Sequence, residues 1–442
     1  MNSLKMLSTG LLLLTGASLA APILAAQIAQ HIVRAKAAGV DLIAYPTAVK
    51  DVVTIVGSLP AGDAFAGAGN AAVPTLVGMM LDRGTKSEDQ FKIAEQLESV
   101  GAEINFEVGI QLVEIHARCL KKDLPLVVRL IAEQLRNPAF APAEFAKAQQ
   151  AAIGSLQHSL ENTNARASEA FDRAIYPKGH PNRPASTEEM IAAVQSAKIE
   201  DLKSFHEQHY GPAHLTLIAV GDLDARSLQA NVAKAFGGWT GGSDFLHAAA
   251  PAVTAAPQEE SIPVPGKASV SVVLGEATGL RYRDPEALAL RVGSAIFGSG
   301  FTSRLMGSVR DKEGLTYDIS AGMGEDALTD GYWRIGATFA PALLEKGIAS
   351  TRRELLRWSR EGVTAEELAA RKTDIVGSYQ VSLATTGGLA TALQQAVLRG
   401  YPVSWLDDYP RAIDALTLEE VNRAIKKHID PAKMVLVKAG TV

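Results

Sequence analysis

At 442 residues the chain exceeds what one ordinary hydrophobic core supports, so it divides into two or more domains. Its composition, 47% hydrophobic and 21% charged, is that of a globular protein and excludes a disordered or fibrous one. A net charge of −5 with no Lys/Arg run gives no electrostatic footprint for nucleic acid, and 6% aromatics supply no base-stacking platform.

The first twenty residues read as a secretory signal. Lys5 is the basic end, residues 11–14 are the apolar stretch, and Ser18-Leu19-Ala20 is a small-residue cleavage site. The apolar run is short for a bilayer and Pro22 interrupts it, so the expectation is a chain secreted to the periplasm without an integral membrane segment. The single cysteine, Cys119, cannot form an internal disulfide and lies in a strand-like alternation, where a buried thiol is expected.

Beyond the signal, residues 27–38 read as a helical lead-in. Strands follow at 40–45 and 52–57, then a Gly/Ala-rich turn at 60–70. An apolar helix spans 72–81 and an amphipathic one 87–99. Residues 103–107 and 111–119 form a hairpin. Helices are expected at 124–135, 142–161, 165–175, 199–209 and 228–236, with a loop at 176–184 and a strand at 215–220. Residues 241–265, rich in Ala, Pro and Gly, read as a linker.

After the linker the pattern begins again. Sliding the sequence by 223 positions puts Glu144 on Glu367, Gly154 on Gly377, Ser155 on Ser378 and Thr163 on Thr386. Sliding by 219 puts His209 on His428, Pro212 on Pro431 and Gly221 on Gly440. The chain is therefore expected to be an α+β tandem duplication. Its two homologous α/β sandwich domains, 27–240 and 266–442, would face each other across a cleft.

One stretch of the second unit, residues 295–323, carries chemistry. Gly298 and Gly300 allow a flexible turn, and Thr302 or Ser303 can cap a helix over 304–312. Gly314 stands where a helix C′ residue belongs, and 316–321 alternates like a strand. Arg310 and Tyr317 can then point to one spot, as two strong donors for a peptide carbonyl or an oxyanion.

Three segments together, MLDRGT (80–85), ESVGAEIN (98–105) and SRLMGSVRDKEGLTY (303–317), resemble the pitrilysin/insulinase-like metallopeptidases, the family of mitochondrial processing peptidase. Active members carry H-x-x-E-H on the first apolar helix and a downstream Glu, which together hold a catalytic zinc. The resemblance places those four positions on Thr75, Gly78, Met79 and Ser155, and none can serve. It also implies that Arg310 and Tyr317 contact substrate backbone and the developing oxyanion, and that the loop containing Gly298, Gly300 and Ser303 touches substrate. Some members divide the work between chains, one bearing zinc and the other only the Arg/Tyr pair.

The resemblance thus implies a metal-free subunit that binds no cofactor itself, pairs with a zinc-bearing homologue in a heterodimer or larger assembly, and acts on peptide. The alternative is a non-enzymatic peptide-binding or scaffold protein of the cell envelope. His206, Glu207, His209 and His214 read as structural groups at a helix end rather than as metal ligands. His180, in the loop GHPNRP, reads as part of a structural turn.

Overall fold

The computed structural model describes residues 28–253 and 257–442; the signal reading over 1–20 lies outside them. The first half runs β1 (Val33–Ala37), β2 (Val40–Pro46), β3 (Val52–Pro60), α1 (Val73–Met80), α2 (Gln90–Glu98), β4 (Glu103–Val108), β5 (Leu112–Leu120), α3 (Leu124–Arg136), α4 (Pro142–Leu160), α5 (Thr163–Ile175), α6 (Thr187–Ser196), α7 (Ile199–His209), β6 (Thr216–Gly221) and α8 (Ala225–Phe236). The second runs β7 (Glu259–Pro263), β8 (Val270–Ala277), α9 (Ala287–Gly298), a π-helix (Met306–Lys312), β9 (Thr316–Gly324), β10 (Tyr332–Phe339), α10 (Leu344–Glu361), α11 (Ala365–Ser382), α12 (Thr386–Leu398), α13 (Trp405–Ala415), α14 (Leu418–His428) and β11 (Val435–Gly440).

The strands form two sheets, ordered β1-β2-β6-β3-β5-β4 and β7-β11-β8-β10-β9. In each, the last strand of the half returns to the middle and pairs parallel with an early strand, β6 with β2 and β11 with β7. The duplication read from the sequence is therefore visible as one topology used twice.

The expected helical lead-in is corrected. A 3₁₀ turn covers Ile28–His31, and β1 then pairs with β2 through Ala38 (φ 49°) and Gly39 (φ 87°). Two successive positive φ values are the signature of a tight two-residue hairpin. β1 is an edge strand with one buried residue, so it carries little of the alternation that marks a strand.

Central strands are buried on both faces, and the two faces serve different cores. Val53, Ile55 and Leu59 of β3 enter the core of the first half, whereas Val56 packs with Leu389, Ala390 and Leu393 of α12. Val270, Val272 and Leu274 of β8 enter the core of the second half, whereas Val273 packs with Ala167, Ala170 and Phe171 of α5. Each half thus covers the other's sheet with one helix, and the helices correspond in the internal repeat. Thr163 at the start of α5 hydrogen-bonds Ser271 (2.8 Å), and its counterpart Thr386 at the start of α12 hydrogen-bonds Thr54 (2.9 Å).

A polar latch adds to this exchange. His180, with its side chain fully buried, stacks on Tyr176 and hydrogen-bonds Asp330 of the second half (3.2 Å). Burial alone would raise the Asp330 carboxyl, but the bonds from His180 and the Ala252 N–H hold it below its usual range.

Leu393 is fully buried in α12 against the first sheet. Leu393→Ala should cost about 2–5 kcal/mol, the usual cost of emptying a buried leucine site. Denaturant unfolding with a probe in the first half checks this. An unmoved first-half transition would mean that α12 does not support that sheet.

Candidate functional site

The helix expected over 304–312 forms, with an additional feature. From Met306 to Lys312 it is a π-helix. The Leu315 N–H reaches back to Val309 O (3.0 Å), and Gly314 closes the turn at φ 64°. π-Helical turns insert an extra residue and concentrate at functional sites. This one is held at both ends. Arg304 makes a paired contact with Glu367 at the start of α11 (2.6 and 2.7 Å), which drives that carboxyl down to about 2. At the other end, Glu313 accepts from Ser350 (2.9 Å) and Arg353 of α10. Beneath lies a stack of Phe297, Trp333 and Trp358, with Phe297 and Trp358 ring centres 4.6 Å apart.

This scaffold brings Arg310 and Tyr317 together. The Arg310 guanidinium lies 5.0 Å from the Tyr317 ring centre and 5.4 Å from that of Phe301. Both rings stand in solvent, Phe301 at 77% and Tyr317 at 84% exposure. Among the described residues no carboxylate pairs with Arg310, so its N–H groups and the Tyr317 hydroxyl remain available to an incoming acceptor. Phe301 was not legible as part of the site, because a lone Phe in a sequence reads as core.

The glycine-rich loop behaves differently from expectation at two of its three residues. Gly300 is exposed at φ 74°. Gly298 is buried where a Cβ would fall 2.4 Å from the Ala321 nitrogen, so it serves helix-to-strand packing. Ser303 is 2% exposed, and its hydroxyl faces the Met306 N–H at 3.5 Å, where it caps the π-helix. Neither Gly298 nor Ser303 offers an atom to a substrate in this conformation.

The four positions implied as zinc ligands lie on α1 and α4, which pack together in the first half. Thr75 donates to Asp63 (2.6 Å). Met79 packs on the first core, and Ser155 is exposed on α4. Gly78 offers no ligand atom, and a Cβ there would lie 2.1 Å from Val108 Cγ2 of β4, so a side chain at this position requires Val108 to move. The residues present therefore do not fit zinc: one position is a hydroxyl spent on a neighbour, and the place of the base is filled by Val108.

The three histidines near the end of α7 have partners. His206 hydrogen-bonds Leu135 O (2.7 Å), His209 hydrogen-bonds Ser243 (2.8 Å), and His214 lies 3.3 Å from Asp244. Cys119 is buried, which pushes its thiol up to about 12. One ligand-type trio escaped the sequence reading: Glu107, Glu114 and His116 have ligand atoms within 4.8 Å of one another across the β4–β5 hairpin. The signal was Glu-x-His on one strand face with Glu107 opposite Glu114. Its half-exposed position leaves most of any ion's coordination shell to water.

A model described as Insulinase (Peptidase family M16) matches residues 46–187, and one described as Peptidase M16 inactive domain matches residues 196–374. An uncharacterized zinc protease of Streptomyces coelicolor is 24% identical over 361 residues, covering 79% of this chain and 76% of that one. A Helicobacter pylori protein named as a non-peptidase homolog is 20% identical, covering 83% of this chain and 85% of its own length. Among solved structures, a peptidase M16 inactive domain from Pseudomonas fluorescens superposes with a TM-score of 0.84 at 23% identity, covering 93% of this chain and 98% of that one. The chain belongs to the M16 peptidase family and is of its inactive, peptidase-related kind. Among the described residues no helix is long and apolar enough to cross a membrane.

Two measurements check this reading. Installing Thr75→His, Gly78→Glu, Met79→His and Ser155→Glu together should yield no stoichiometric zinc by elemental analysis unless Val108 is also trimmed to Ala. Asp63 supplies the second. Burial raises its carboxyl to about 6, against the bond from Thr75. The folded state therefore holds this proton more tightly, and the stability it confers is lost as pH rises through about 6. Asp63→Asn should be the more stable protein by about 1–3 kcal/mol at roughly pH 8 and closely match the parent at about pH 4. Parallel stability–pH curves would contradict this.

Proposed function

We propose that this chain is the zinc-free subunit of a secreted, heteromeric zinc peptidase. It supplies one half of the substrate cleft and the Arg310–Tyr317 donors, while a homologous partner supplies zinc and the attacking water. The observation that carries the reading is a contrast. The zinc positions hold no imidazole or carboxylate, yet a half-buried Arg310 and an exposed Tyr317, without an ion-pair or hydrogen-bond partner for either side chain among the described residues, stand together on a turn braced from both ends. An unused pair of this kind gives no reason for Glu367, Glu313, Arg304 and Arg353 to converge on one short helix.

In this role the Arg310 N–H groups and the Tyr317 hydroxyl donate to the scissile carbonyl, and more strongly to the oxyanion that replaces it. The Phe301 ring, 5.4 Å from the Arg310 guanidinium, offers it a second aromatic neighbour beside Tyr317. Export to the periplasm rests on the signal reading of residues 1–20.

The purified chain alone should cleave no peptide, and adding a zinc-bearing homologue from the same cell should produce turnover. In that complex Arg310→Ala or Tyr317→Phe should lower kcat by about 10²–10³, the loss typical of one oxyanion donor. Unchanged turnover in both variants would remove their assigned role. Peptide affinity without cleavage, whichever homologue is added, would favour a binding or scaffold protein.

A further inference from the structure

The exposed face of α12 separates two cavities. One, of about 410 Å³, lies between the halves and includes Gln111, Glu114 and His116 of the first half with Ala327 and Leu328 of the second. The other, of about 370 Å³ and open to solvent, is lined by Tyr282, Tyr379, Trp405 and Tyr409. Thr391, Gln395 and Arg399 border both. Their i, i+4, i+8 spacing sets them in one row along the helix.

Arg399 is the unusual member of this row. It is half-buried, its guanidinium stacks 3.7 Å from the Tyr282 ring centre, and burial holds its pKa below the ordinary arginine range. Among the described residues no carboxylate lies within ion-pair distance of it. Arg291 also lies 4.0 Å from the Tyr282 ring centre, and it forms the direct ion pair with the Asp326 carboxylate. Asp326 acts on Arg399 only from beyond ion-pair distance, so this partly desolvated cation has no contacting counter-ion among the described residues, and an anion arriving from outside would relieve the cost of that desolvation.

We propose that the aromatic cavity is an anchor for the C-terminal residue of a peptide, with the peptide's free carboxylate on Arg399 and its last, apolar side chain among Tyr282, Tyr379, Trp405 and Tyr409. The preceding residues lie in the larger cavity, along Thr391 and Gln395. Arg399 matches a carboxylate because its fork donates two parallel hydrogen bonds. The volume suits one amino-acid side chain, and the aromatic walls favour an apolar or aromatic one. The anchor rests on the reading of the cleft as a peptide site, but it is separate from the Arg310–Tyr317 pair and needs no catalytic partner.

The test is fluorescence anisotropy on the full chain with an N-terminally labelled short peptide ending in Phe, prepared as free acid and as C-terminal amide. The acid should bind at least about tenfold tighter, as expected for losing a charge-assisted hydrogen bond. Arg399→Gln should bring the acid to the affinity of the amide, while Arg399→Lys should retain part of the difference. The Lys variant thereby separates loss of the anchor from loss of fold. N-acetylphenylalanine should compete with the acid. Equal binding of acid and amide by the parent, or an acid preference that survives Arg399→Gln, would overturn the anchor and leave the peptide cleft standing. Failure of both peptides to bind would overturn the two together.

Discussion

Each sheet in this protein is covered on one face by a helix that belongs to the other half. The physical reason lies in β3 and β8, whose alternate residues are apolar on both sides. A sheet of that kind cannot leave one face in water, and its own half supplies helices for only the other face. α5 and α12 answer that need reciprocally. The matched bonds Thr163–Ser271 and Thr386–Thr54 fix where each helix begins on its host sheet. The space between the halves, the row on α12 and the latch at His180–Asp330 all take their positions from this exchange.

Within that frame the two halves have drifted in opposite directions around one shared device. In each, an arginine following the first apolar helix approaches the glutamate that opens a long helix. In the second half, Arg304 and Glu367 meet at 2.6 Å and steady the π-helix below Arg310. In the first, Arg83 and Glu144 stand 3.8 Å apart, and the neighbouring helix α1 carries Gly78 against Val108 and the Thr75–Asp63 bond. The same arginine–glutamate pairing is thus close in the second half and loose in the first.

Much of the architecture was legible because the repeat was. Glu144/Glu367 and Thr163/Thr386 pointed to one unit used twice; the strand–helix order of the first followed from alternation and caps, and that of the second, beyond residues 295–323, only from the repeat. The failures share a cause. β1 is a thinly buried edge strand, so its period of two was hidden among alanines. α6 announced itself only through Ser186 and Glu189, which form a capping box. Around the site, the Arg310–Tyr317 convergence followed from a short turn, which local sequence encodes. The contact of Val108 with the place of a Gly78 side chain, the burial of Ser303 and the approach of Phe301 to Arg310 depend on segments that meet only after folding. No spacing rule announces them.

The reciprocal covering of the sheets also bears on whether either half could stand alone. A single free-standing unit would carry a sheet with one bare apolar face and a helix with nowhere to lie. Two copies exchanging that helix satisfy each other, so neither half carries a complete core of its own and the halves depend on one another for their fold.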